Sequence, residues 1–169
     1  GEIDSDGYVK ITGRIKELYV SSGGKNIAPL VIEETMKSIP MVSQCMLIGD
    51  GRKYCSALFT LDVGAILRDK HGMDPAKIPK DPAVQITTLE SFGKSLSDYT
   101  DNEEIHAEMQ AQVTELNGQF SNPEQIKKFK ILPRDLSVDF GELTPTLKIR
   151  RIQIRENWAA EIEAMYEGA

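Results

Sequence analysis

Residues 13–29 read GRIKELYVSSGGKNIAP. The segment opens on a charge cluster of Arg14, Lys16 and Glu17 and passes through an apolar run, Leu18-Tyr19-Val20. It turns at Ser21-Ser22-Gly23-Gly24 and ends Lys25-Asn26-Ile27-Ala28-Pro29, where a helix begins. Glycine reaches backbone angles closed to other residues. Proline at a first helical position is preorganised and wastes no donor. Charge, strand, glycine turn and helix start follow too closely for a packed core. The segment reads as a hinge or an active-site loop beside one.

Working outward, Asp4 to Gly7 reads as a turn, and Tyr8–Thr12 as a strand that pairs with Glu17–Ser21 in a hairpin. Pro29–Ser38 reads as a helix with Ile32, Met36 and Ile39 on one face. Val42–Ile48 and Cys55–Leu61 are apolar runs separated by Gly49-Asp50-Gly51-Arg52, a strand pair with a polar loop. A short helix over Val63–Lys70 ends at Gly72, and the proline- and lysine-rich Pro75–Pro82 reads as an exposed linker. Asn102–Leu116 is the clearest helix. Asp101, Glu103 and Glu104 suit its positive end, and Ile105, Met109, Val113 and Leu116 form its apolar stripe. Ser121 caps a short helix. Phe129–Leu132 reads as a strand ending at Pro133. A last helix runs from about Arg151 to Tyr166, with Trp158, Ile162, Met165 and Tyr166 on one face. The expected fold class is α+β: a small, mainly antiparallel sheet with an N-terminal hairpin, covered by helices.

The chain has 169 residues, 40% hydrophobic and 27% charged, the make-up of an ordinary globular protein. No apolar stretch approaches the roughly 20 residues of a membrane span. The net charge of −6 is unevenly spread. Residues 61–125 carry 5 basic and 12 acidic side chains, whereas 126–155 carry 8 basic and 3 acidic. A cationic stretch in an acidic chain suits an anionic ligand or a solvated face. Nothing resembles a groove-reading or base-stacking motif, so no nucleic-acid partner is expected. Cys45 and Cys55 read as buried free thiols. His71 and His106 have no zinc-like spacing with them, and no metal site is expected. The opening at Gly1-Glu2-Ile3, without an initiator Met, reads as part of something longer.

A second segment, ELTPTLKIRR over 142–151, carries the other unusual chemistry. Thr144-Pro145-Thr146 sets a turning backbone, and Lys148 stands just before a basic helix start. A lysine on a restrained loop can meet an anion as a point charge. Arg150 and Arg151 either assist it or pair with the acidic helices.

Together the two segments resemble the adenylate-forming superfamily of acyl-CoA synthetases, and within it the long-chain fatty acid–CoA ligase branch. DSDGYVKITGRIKELYVSSGGKNIAP is similar to the hinge region of that family, and ELTPTLKIRR to its C-terminal lysine motif. The resemblance covers the whole chain as a C-terminal domain. It implies that residues 1–15 end the preceding domain and approach the hinge, and that 16–169 form the mobile domain. It implies a nucleotide-ribose contact at Arg14, the hinge at Lys16, and a pantetheine path along Ser22, Gly23 and Gly24. Lys148 falls at the catalytic lysine that contacts the acyl carboxylate and α-phosphate. ATP and CoA are the implied substrates with a fatty acid. Mg2+ is expected with ATP and has no ligands in this stretch. The implied partner is the enzyme's own N-terminal adenylation domain, and the implied location is cytoplasmic, with peripheral membrane contact allowed. An acyl-carrier protein in place of CoA, or a non-catalytic module binding a partner through the acidic 101–116 helix, are the alternative readings.

Overall fold

The structure, a computed structural model, describes residues 2–3, 5–10 and 17–168. Two short antiparallel ladders come first. β1 (Glu2–Ile3) pairs with β2 (Val9–Lys10), and β3 (Tyr19–Val20) pairs with β4 (Asn26–Ile27). Among the described residues the expected pairing of Tyr8–Thr12 with Glu17–Ser21 is therefore corrected, and Ile11 and Thr12 lie outside them. Each strand closes on the neighbour reached through its nearest tight turn, and short loops cost least to close.

α1 (Pro29–Met36) starts on its proline and buries Ile32 and Met36. It stops short of the expected Ser38, because Pro40 disfavours helix in the residue before it. β5 (Val42–Ile48) and β6 (Cys55–Leu61) fall on the two apolar runs and pair antiparallel, with Cys45 opposite Phe59 and Leu47 opposite Ala57. α2 (Val63–His71) begins at Asp62, whose carboxylate accepts from Ala65 N at 3.2 Å, and ends at Gly72.

Residues 75–82 are not a plain linker. Pro75–Lys77 is a 3-10 turn, and Pro82 opens α3 (Pro82–Ser91), capped by Asp81. The one-turn α4 (Ser97–Thr100) leads into α5 (Glu103–Asn117), whose cap, Asn102, accepts from Glu104 N and Ile105 N. The stripe Ile105, Met109 and Val113 is buried, as its spacing predicts. β7 (Ile126–Ile131) then pairs with β6 in parallel, giving sheet order β5-β6-β7.

Period-2 alternation divides the side chains of this sheet between two cores. Cys45, Leu47, Ala57, Phe59 and Ile131 pack with α1, α2 and α5. Met46, Ile48 and Leu58 pack on the opposite face with Leu132, Leu143 and the C-terminal helices. β6 is buried along its whole length, which explains why it carries no charged side chain. Burying a side chain such as Phe59 or Leu47 contributes roughly 1.5–3 kcal/mol. Both cysteines are buried and free. Burial pushes the Cys45 thiol well up and Cys55 up to about 11, so both are inert thiols.

The expected single C-terminal helix is two. α6 (Arg151–Asn157) and α7 (Ala159–Ala164) meet at Trp158, whose φ of −117° and ψ of 27° leave the helical range. The buried indole N–H donates to Glu142 at 3.0 Å, and that contact holds the break. Trp158, Ile162 and Met165 still share the face the spacing predicts.

Candidate active site

Leu143 and Ile149 pair across an antiparallel bridge, so the second motif is a tight hairpin. Thr144 N donates to Lys148 O at 2.8 Å, and Leu147 N to Thr144 O at 2.8 Å. The Thr144 hydroxyl accepts from Lys148 N at 3.1 Å. Pro145 presets the first turn angle, and Leu147 closes the loop at φ 63°. A left-handed backbone at a leucine costs roughly 1–2 kcal/mol. Lys148 is exposed, and among the described residues no partner holds its ammonium.

The glycine segment repeats this geometry. Ser21 N donates to Lys25 O at 2.9 Å, and Gly24 N to Ser21 O at 2.8 Å. The Ser21 hydroxyl accepts from Lys25 N at 3.0 Å, and Gly24 has φ 81°. Both five-residue loops start on a hydroxyl side chain and end on a lysine. They differ in what the lysine does. Lys25 is held by the Ser121 hydroxyl and lies 3.7 Å from Glu124, whereas Lys148 points out. Ser22 N reaches Arg52 O at 3.4 Å, which seats the glycine loop on the β5–β6 turn.

Two buried carboxylates clamp the stems of the lysine loop. Before it stands Glu142, 0% exposed. Arg134 donates to it twice, at 2.8 and 2.9 Å, and Ser137 N, Asn157 Nδ2 and Trp158 Nε1 add further bonds. Burial pushes the Glu142 carboxyl up, but these donors outweigh it and hold it below the usual carboxylate range. After the loop stands Arg151, which donates both terminal nitrogens to Glu33 on α1. Leu47 N gives Glu33 a further bond at 2.7 Å, and Arg155 reaches the Tyr19 hydroxyl at 3.0 Å. Burial pushes the Glu33 carboxyl above its ordinary value, and the Arg151 and Leu47 contacts draw it back only in part. Burial works against the Arg151 charge too, yet Glu33 prevails and holds the guanidinium above its ordinary value. The lysine is thus a free cation on a fixed mount.

Lys148 lines a cleft of about 480 Å³ with Leu30, Glu34, Lys37, Leu147 and Glu17. Glu17 is the first described residue after residues 11–16, and it lines this cleft. Ser22, Gly23 and Gly24 do not line it. Arg14 and Lys16 lie outside the described residues. Reading the sequence left Arg151 open between assisting an anion and pairing with a helix, and it pairs. Glu33, Arg134 and Glu142 were missed, because nothing local marks two side chains as partners across the chain. The shared spacing of a hydroxyl residue and a lysine four positions on was the available signal for the twin loops. His71 meets the Tyr99 hydroxyl and stacks on Phe92, and His106 stacks on Phe129, so both histidines are structural contacts.

Residues 16–77 match the family described as AMP-binding enzyme C-terminal domain. Over 166 residues the chain is 37% identical to a long-chain-fatty-acid–CoA ligase of Mycobacterium tuberculosis, covering 98% of this chain and 25% of that protein. Residues 16–77 therefore carry an AMP-binding enzyme C-terminal domain. A long-chain-fatty-acid–CoA ligase of Gallus gallus is 34% identical over 173 residues, covering 100% of this chain and 22% of that protein. The chain therefore spans about a quarter of the length of the curated relatives it matches. Among solved structures, the adenylation domain of a carboxylic acid reductase from Segniliparus rugosus, in complex with AMP and a co-purified carboxylic acid, aligns with a TM-score of 0.67. It is 18% identical over 98% of this chain and 22% of that one, and it shows the same fold.

Proposed function

We propose that this domain is the rotating C-terminal part of an ATP-dependent, AMP-forming long-chain fatty acid–CoA ligase. Residues 1–15 close the preceding domain, and 16–169 are the moving body, a division in keeping with a family match that starts at residue 16. A fatty acid carboxylate attacks the α-phosphorus of ATP, forming acyl-adenylate and releasing pyrophosphate. The thiol of CoA then attacks the acyl carbon and releases AMP. The first step brings two anions together, and Lys148 offsets their repulsion and the charge developing on phosphorus. In the second step the Ser22-Gly23-Gly24 loop lines the path of the pantetheine arm. Arg14 contacts the ribose, and Lys16 is the pivot. Among the described residues no group of three His, Cys, Asp or Glu gathers. The Mg2+ that accompanies ATP is to be held by the phosphates and the preceding domain.

The observation that carries this reading is the free Lys148 ammonium on a hairpin clamped by Glu142 and Arg151. The lysine loop and the glycine loop do not share a cleft, which supports turning one domain to present each in its own step. No helix among the described residues is long and apolar enough to cross a membrane. A cytoplasmic enzyme with peripheral membrane contact fits a fatty acid substrate. The deciding experiment is pyrophosphate exchange by the full-length Lys148→Ala enzyme. The expected loss is about 100- to 1000-fold, with thioester formation from supplied acyl-adenylate largely spared. A near-normal exchange rate removes the assignment.

A further inference from the structure

The two loops share one hydrogen-bond pattern, and in each the backbone turns left-handed at the residue before the lysine. Gly24 fills that position in one, and Leu147 in the other. Nothing lies within 4 Å of where a side chain at Gly24 would start, so glycine there answers a demand of the backbone and not of packing. The lysine loop makes the same demand and carries a leucine. Among the described residues nothing compensates, for the Leu147 side chain is 64% exposed. It lines the Lys148 cleft together with Leu30 on α1, itself 41% exposed, and with Ile149. An apolar wall therefore stands open to solvent beside the free ammonium.

We propose that Leu147 is a docking residue that fixes where the Lys148 ammonium comes to rest. With Leu30 it seats against an apolar surface of the enzyme's preceding domain in the adenylating orientation. The proposal rests on the reading of Lys148 given above. The occupant is the rest of the enzyme's own chain, since the relatives are several times longer than this domain. Adjacent Cα atoms are only about 3.8 Å apart. A lysine enclosed in a site that excludes water carries its neighbour into the same interface. The left-handed backbone aims that neighbour outward, and the clamps at Glu142 and Arg151 make the aim rigid. Leu147 is a positioning residue and touches no reacting atom.

The test uses the full-length enzyme with Leu147→Gly, Leu147→Ala, Leu147→Met and Lys148→Ala. Three quantities are read: pyrophosphate exchange, thioester formation from supplied acyl-adenylate, and the thermal midpoint. Leu147→Gly relieves the backbone, so its midpoint should equal or exceed that of the parent. Its exchange kcat should nonetheless fall by about tenfold or more, with KM little changed and the thioester step within about twofold. Leu147→Ala should fall similarly, and Leu147→Met should recover most of the loss. Normal exchange by Leu147→Gly, alongside a dead Lys148→Ala, overturns the docking role alone. Normal exchange by both overturns the reading of Lys148 itself. Equal losses in both half-reactions with a lowered midpoint show a merely structural leucine and also overturn the proposal.

Discussion

Arg151 and Glu33 form a bidentate ion pair across 118 residues of sequence, with Nη2 to Oε2 at 2.8 Å. Arg151 stands three positions after Lys148, and Glu33 lies in α1 with 2% exposure. The pair joins the start of α6 to the helix that follows the glycine hairpin. Both unusual segments of the sequence thus share one mechanical connection.

Removing either partner strands a buried charge. Glu33→Leu or Arg151→Met should each lower stability by about 3–5 kcal/mol. The double replacement Glu33→Leu with Arg151→Met should recover most of that, because two apolar side chains leave no charge behind. Urea unfolding of the two singles and the double measures the coupling, and additive losses would show that the pair does not act as a unit. Arg151→Lys should behave like a loss, since an ammonium cannot reproduce the planar double contact.

The two buried carboxylates respond to pH with opposite sign. Glu142 is held below its unfolded value, so its contribution is present above an ordinary carboxylate pKa near 4.5 and is lost as pH falls through the depressed value. Glu142→Gln should be less stable than the parent at pH 7, and the gap should narrow below pH 4.5. Glu33 is raised, so its contribution is complete at low pH and is lost as pH rises through the raised value. The parent's advantage over Glu33→Gln should therefore widen on acidification. Thermal midpoints from pH 3 to pH 7, taken about half a unit apart, separate the two trends.

Much of this fold was legible because its signals are local. Pro29, Asp62, Asn102 and Gly72 punctuate helices, and β5 and β6 are apolar runs with a polar turn between them. α3 was lost because Pro82 reads as a breaker when it is in fact a first helical residue. The break at Trp158 carries no glycine or proline, and its cause is the indole bond to Glu142, a tertiary contact. The partners of β3 and β7 are decided by chain closure and sheet order, which periodicity does not record. At the candidate site, Lys148 and the glycine loop stood out by residue type. Glu33 did not, because it looks like any helical glutamate until α6 packs against it.

Gly23 and Gly24 are neighbours with unequal demands. Gly24 needs its φ of 81°, so Gly24→Ala should cost roughly 1–2 kcal/mol. At Gly23 a new methyl group meets only the Ser21 hydroxyl at 3.8 Å, an ordinary contact. Gly23→Ala should fold normally. If the loop lines the pantetheine path, either change should slow thioester formation more than pyrophosphate exchange. Half-reactions on the two full-length variants, with unfolding curves, check both statements.

Lys16→Pro fixes φ near −65° and removes a backbone donor. If Lys16 is the pivot, one orientation remains reachable and the other does not. One half-reaction should then fall far more than its counterpart. Equal losses would indicate misfolding or a role elsewhere, and no loss would remove the rotation argument.

The parallel pairing of β6 with β7 bears on how the chain acquires its shape. β5 and β6 meet through a short turn, so that hairpin can form early and locally. β7 reaches β6 only after residues 62–125, with α2, α3, α4 and α5, have been drawn across the sheet. Parallel, non-local pairing is intrinsically slow, because closure entropy is lost before contacts compensate for it. During that delay the lysine hairpin has no floor, since Leu143 packs in a core with Leu132, the residue just after β7. On a ribosome, Lys148 is therefore mounted last, when the C-terminal quarter of the domain closes over a sheet already in place.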